Sequence, residues 1–184
     1  MSNSYLSRII RAARLDTSLY VEIKLDRGAF GQAIGLVLLS SIAGGVGASG
    51  ETGAGFEMLL LGALLSVASW LIWTFFIHLI GTRFLAEPTT ESDYWQLLRT
   101  IGFSTAPSIL NILGVIPGAM LAVFFLVSVW TLVAMVIAVR AALNYSSTLR
   151  AAGVCILGWI AQLILLGLLF APFVGKLPTG PLGG

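Results

Sequence analysis

The stretch Ala119–Val139, AMLAVFFLVSVWTLVAMVIAV, decides the fold: it carries no charged side chain, and Ser128 and Thr131 are its only hydroxyls. A helix rising 1.5 Å per residue needs about 20 such residues to cross the roughly 30 Å hydrocarbon core of a bilayer. Working outward, four more stretches share this character, at 29–49, 56–82, 95–114 and 150–172, and the first widens to 117–140. The expected fold is therefore all-α, a polytopic membrane helical bundle with five transmembrane helices and an N-terminal amphipathic segment. The division expected along the chain is a cytoplasmic amphipathic segment at 1–27, a transmembrane domain at 28–174 and a flexible tail at 175–184.

Composition agrees. Hydrophobic residues make up 58% of the 184 and charged ones 10%, whereas soluble domains carry about 25% charged residues. A net charge of +2, with no long basic run, gives nucleic acid nothing to hold. The single cysteine, Cys155, excludes an internal disulfide and a thiolate cluster, and it sits where a small packing residue is expected. The first 28 residues include Asp16, Glu22 and Asp26 and have no continuous apolar core, so they are expected to stay attached.

In the N-terminal segment Tyr5, Leu6, Ile9, Ile10 and Ala13 share one helical face, while Ser7, Arg8, Arg11 and Arg14 share the other. Asp16 and Thr17 can cap a second short helix. Such a segment lies in the headgroup layer as a topology-setting anchor, or serves a partner or a curved surface. Lys and Arg then fix orientation. Arg8, Arg11, Arg14, Lys24, Arg27, Arg83, Arg99, Arg140 and Arg150 fall on one side of a five-span arrangement, and only Lys176 on the other. The positive-inside rule puts the N-terminus in the cytoplasm and the C-terminus outside. Arg outnumbers Lys, and Ala and Gly abound, which points to a GC-rich bacterial genome and a bacterial cytoplasmic membrane.

Small residues are expected to set helix contacts: Gly31, Gly35 and Gly44 in the first span, Gly102 in the third, Ala134 and Ala138 in the fourth. The third span is the least apolar. It holds Arg99, Ser104, Thr105, Pro107 and Asn111, and a kink is expected at the proline. Polar groups in lipid should turn toward the bundle. Arg99 lies one turn inside its helix, within reach of headgroup phosphates. Asn111 and Gln162 share the outer half of the membrane, where they can pair. These residues read as interhelical glue or as a polar passage. His78, the only histidine, has no accompanying cluster of metal ligands and reads as a hydrogen-bonding residue or a proton or ligand site. Glu87, Glu91 and Asp93 sit in the longest polar loop, near helix caps. No nucleophile elbow or phosphate-binding glycine loop occurs, so no catalytic residue, metal or cofactor is expected.

Four segments together resemble the Yip1-domain family of five-span membrane proteins, particularly its bacterial branch. They are Asp26-Arg27-Gly28-Ala29-Phe30-Gly31-Gln32-Ala33; Trp73 followed by Gly81; Gly102-Phe103-Ser104-Thr105-Ala106-Pro107; and Trp130 followed by Arg140-Ala141-Ala142. The resemblance covers roughly residues 16–172. Phe103 stands where the family's motif has Tyr, and the Asp-Leu-Tyr-Gly-Pro signature of eukaryotic members is missing, which argues against a Rab-type GTPase partner. The resemblance implies an integral membrane protein without known catalysis, whose eukaryotic relatives are associated with trafficking and membrane organisation. The residues support two readings. One is a non-enzymatic membrane-organising or adaptor protein whose partners are membrane lipids, other membrane proteins or a second copy of itself. The other is a small transporter, channel or lipid scramblase with a polar path lined by the third and fifth helices.

Overall fold

The computed structural model describes residues 4–52 and 55–174, and among them every regular element is helical. Two short helices, α1 (Tyr5–Ala13) and α2 (Thr17–Leu25), precede the long α3 (Ala29–Thr52) and α4 (Phe56–Leu79). A π-helical turn, Ile80–Phe84, extends α4; then follow α5 (Tyr94–Ser104), a 3-10 stretch (Ala106–Val115), α6 (Met120–Leu143) and α7 (Thr148–Val174). Four segments among the described residues are long and apolar enough to cross a membrane: Ala29–Ser49, Phe56–Phe84, Met120–Leu143 and Thr148–Leu169. The expected tail at 175–184 lies outside the described residues.

The third apolar stretch is built differently. Asp93 and Gln96 start α5 with a reciprocal capping box. The α-helix ends at Ser104, because Pro107 offers no N–H to continue it. The chain then runs on as 3-10 helix. Gly102 lies against Ala33, Thr105 against Ser40 and Asn111 against Gly47, so the split element follows α3 in the same direction. At the break, the Ser40 hydroxyl donates to the Thr105 carbonyl at 2.9 Å and so satisfies a backbone acceptor in an apolar setting.

Glycine permits this approach at three points, one of them Gly114, where a Cβ would stand 3.0 Å from the Gly47 carbonyl oxygen. A Cβ on Gly47 would collide with the Asn111 carbonyl oxygen, and one on Gly102 would stand 2.7 Å from the Ala33 Cβ. Gly31 and Gly44 have open space where a side chain would go, and Gly35 faces only the Tyr5 hydroxyl, at 3.3 Å. Ala134 and Ala138 are fully buried on α6. The core gathers Leu36, Trp70, Ile77, Leu97, Phe103, Val139 and Val154 from five helices. Leu64, Leu121, Phe125 and Leu168 point outward, as expected of helices that meet lipid.

The N-terminal segment pairs part of its basic face with its own acids. Arg8 is buried and pairs with Glu22 at 3.0 Å and Asp26 at 2.8 Å, its Nη1 donates to Gln32, and Arg14 stays exposed. Arg11 pairs with Asp16 and Glu22. The acidic side chains of α2 and its flanks therefore hold two of the cations counted above, while Leu6 and Ile10 stay exposed. Leu15, at φ 62°, closes α1 in a left-handed turn. Tyr5 donates to the Gln32 carbonyl, and the Trp130 indole N–H donates to the Ala13 carbonyl, so α1 is strapped to α3 and α6. The helix α2 is buried through Leu19, Tyr20 and Ile23 against the bundle.

Two outcomes follow. Gly47→Leu should cost about 1–3 kcal/mol by overpacking and lower the melting temperature in detergent, whereas Gly44→Leu should leave it unchanged. The strap should be acid-sensitive. The Ser18 hydroxyl and Arg11 hold Asp16 down to about 2, and Arg11 and Arg8 hold Glu22 and Asp26 below the ordinary range. Depressed carboxylates contribute stability that is full above about pH 4–5 and is lost as pH falls toward 2. The fluorescence difference between the protein and its Trp130→Phe variant should therefore hold steady down to about pH 4 and shift below it.

Candidate functional site

Where α4, α6 and α7 meet the broken third element, they leave a cavity of about 440 Å³ inside the bundle. Its back wall is Ile101, Thr105 and Ser108, the residues on either side of the break. Trp70 and Trp73 form the α4 side, Thr131 and Met135 the α6 side, and Cys155 with Gln162 the α7 side. Ser69, Ser128, Leu132, Ile156 and Trp159 line its rim and are exposed on the outer faces of their helices. Within candidate spans that exposure is toward lipid.

The polar groups here are few and spaced apart. Ser108 and Thr131 hydroxyls share a hydrogen bond at 2.9 Å. Gln162 Nε2 donates to Ser69 Oγ at 2.6 Å and ties α7 to α4. Thr105 donates to the Gly102 carbonyl of its own helix. Trp70 and Trp73 are buried, and neither indole N–H has a hydrogen-bond partner. An unmade bond of this kind costs about 1–3 kcal/mol. A mostly apolar cavity with a few hydroxyl and N–H groups suits an apolar molecule that carries one or two acceptor oxygens. It does not suit an ion.

The residues singled out from the sequence divide. Thr105 and Gln162 line the cavity, and the break at Pro107 shapes its back wall. Asn111 does not join them. It packs against Gly47 of α3, its Oδ1 is buried without a partner, and Gln162 bonds Ser69 instead. Ser104 is fully buried and donates to the Ile101 carbonyl in its own helix. His78 lies edge-on to Tyr94, ring centroids 6.0 Å apart, with Nδ1 buried and unpartnered. Arg99 is held on the end of α2. Its Nε and Nη2 donate to the Ile23 and Lys24 carbonyls at 3.3 and 2.7 Å, where the end of α2 leaves acceptors unsatisfied. Among the described residues no group of His, Cys, Asp or Glu could hold a metal ion. Glu87 accepts from the Ser146 N–H and hydroxyl and pairs with Arg150 at 3.4 Å, so it ties two loops together.

Ser69, Ser108 and Trp70 are not singled out by the sequence, and Ser128, Thr131 and Trp73 stand out there only as features of their spans, not as site residues. The available signal was helical phase: Ser128, Thr131 and Met135 lie three and four apart on α6, as do Cys155, Trp159 and Gln162 on α7.

The family model of the Yip1 domain matches residues 20–169 of this chain. No curated protein and no solved structure matches it.

The burial pattern makes a labelling prediction. In a Cys155→Ser background, cysteines at Ser104 and Ala106 should resist a lipid-phase thiol probe, and cysteines at Leu110 and Ile112 should react. Uniform strong labelling across 102–112 would make the broken element peripheral and leave the cavity without a back wall.

Proposed function

Because the chain belongs to the Yip1 domain family, we propose that it is a non-enzymatic membrane-organising protein that acts through lipid held in its bundle and through contacts with other membrane proteins. The observation that carries this reading is the cavity between α4, α6, α7 and the broken element, with its rim on the lipid-facing surface. An acyl chain can enter there from the bilayer, with its ester oxygens near the Ser128 hydroxyl and the Gln162 amide among the lining groups. The family is not known as enzymatic, and the polar groups in the cavity are hydroxyls and amides without a base to activate them.

Five crossings suit this reading. From rises of 1.5 and 2.0 Å per residue, α5 and the 3-10 stretch together reach about 35 Å, enough for the hydrocarbon core. They also accompany α3 in the same direction over most of its length. With five crossings the N-terminus is cytoplasmic and the C-terminus outside, in what composition suggests is a bacterial cytoplasmic membrane. Reporter fusions at both ends check this, and two ends on one side would remove a crossing.

A second reading has its own observation. Thr105 and Ser108 of the broken element and Gln162 of α7 line one cavity, which a scramblase would use as a groove for headgroups.

The test uses purified protein carrying zwitterionic lipid only. Thr131→Phe, which fills the cavity, should at least halve the lipid retained per protein in native mass spectrometry while circular dichroism is unchanged. Unaltered retention would remove the cavity as a lipid site. Protein-dependent flux of labelled lipid across liposomes, abolished by the same substitution, would favour the scramblase.

A further inference from the structure

At the end of the bundle where α3 and α5 begin, a second and larger hollow of about 620 Å³ opens among Lys24, Arg27, Gln96 and Arg99. We infer that this hollow binds the phosphodiester of an anionic phospholipid. The inference shares the membrane setting of the proposed function but not its cavity, from which it is separate in residues and charge.

Three cations line one space and outnumber the carboxylate that lines it with them. Lys24 is only 6% exposed, with its ammonium on the Glu91 carbonyl and the Asn144 side chain. Arg99 is also 6% exposed, and two of its guanidinium nitrogens are fixed on α2 carbonyls while Nη1 has no hydrogen-bond partner among the described residues. Both groups are therefore held in place by neutral acceptors, which fix their positions without an ion pair to offset the cost of burying their charge. Arg27 is exposed beside them and forms no ion pair among the described residues. Like charges so arranged repel, and the only carboxylate lining the space is Asp93. That side chain is committed to capping α5. A net positive, pre-positioned pocket is a site for an anion, and guanidinium groups match the oxygens of a phosphate.

The wall says which anion. Phe30 and Trp95 meet edge to face, ring centroids 5.4 Å apart, and line the same hollow. Trp95 is 53% exposed and Leu25 71% exposed. Exposed aromatic and aliphatic groups next to a cationic pocket, at the level where membrane spans begin, match the headgroup boundary of a bilayer. A soluble phosphate would gain nothing from that wall. A phospholipid places its phosphate on Arg27 and Arg99 and its glycerol and upper chains on Trp95 and Leu25.

The experiment measures lipid affinity of the full chain in phosphatidylcholine nanodiscs, titrated with phosphatidylglycerol and separately with inorganic phosphate. Phosphatidylglycerol should bind saturably. Arg27→Gln, which disturbs no described contact, should weaken it about tenfold, the scale of one charge-assisted contact. Arg83→Gln, exposed at the same end but outside the hollow, should leave affinity within a factor of two. Asp93→Asn keeps a good helix cap and removes the opposing charge, so it should bind more tightly. Equal losses in the Arg27 and Arg83 variants would reduce the effect to general surface charge and overturn the site. Inorganic phosphate that competes at millimolar concentration with the same variant pattern would overturn the lipid assignment. Thr131→Phe should leave this binding untouched, so a failure here and a failure of the intramembrane cavity are told apart.

Discussion

Away from water every backbone N–H and C=O must find its partner within the protein, and among the described residues that constraint is tightest at Thr105-Ala106-Pro107. A proline there ends the α-helix among buried neighbours, and the released groups need partners inside the protein. The answer is local and depends on α3. The Ser40 hydroxyl reaches the Thr105 carbonyl, and the chain continues in 3-10 form, which keeps its own hydrogen bonds. For that to work the two elements must run nearly in contact, and Gly47 and Gly102 supply the room. The break, the glycines and Ser40 are thus one device. Losing any of them would leave polar backbone facing lipid or force the pair apart.

The cavity is a consequence of the same device. A regular third helix would place its side chains at a steady 100° interval and could fill the space between α4, α6 and α7. After the break the 3-10 segment turns its residues with a different period, and the bulky side chains Leu110, Ile112 and Leu113 end up exposed rather than interior. What faces inward is small: Thr105 and Ser108. The hollow is therefore not loose packing of an ordinary bundle. It is space left where the chain gives up a helix, rimmed by hydroxyls that suit an apolar molecule with a polar tip.

Much of this was legible in the sequence, because lipid imposes length and hydropathy on anything that crosses it. The four regular spans, the irregular third stretch and the break near Pro107 follow from that rule. The side-chain geometry did not follow, for reasons of rotational phase. Asn111 and Gln162 lie at similar depth, but depth does not say which way a helix faces; Gln162 turns to Ser69 and Asn111 to α3. The glycine spacing of the first span pointed to Gly31 and Gly44, which face open space, and passed over Gly47, because close contact depends on which face the partner takes. Arg8 and Arg11 counted as free positive charge, although Asp16, Glu22 and Asp26 lay within the same short segment and could have been read as their partners.

That last pairing sharpens the account of charge at the basic end. The strap neutralises Arg8 and Arg11 through α2 and its flanks, so neither joins the cations that line the hollow, Lys24, Arg27 and Arg99. Asp26 stands between the two groups: it binds Arg8 while its neighbour Arg27 forms no ion pair among the described residues. The backbone of α2 serves both sides as well, since its last carbonyls fix Arg99 and its side chains anchor α1. Binding of an anion beside Arg99 would therefore act on the same short helix that fastens the strap over α3 and α6. The physical link between the membrane surface and the interior of the bundle is α2, a nine-residue helix that never enters the membrane as a span.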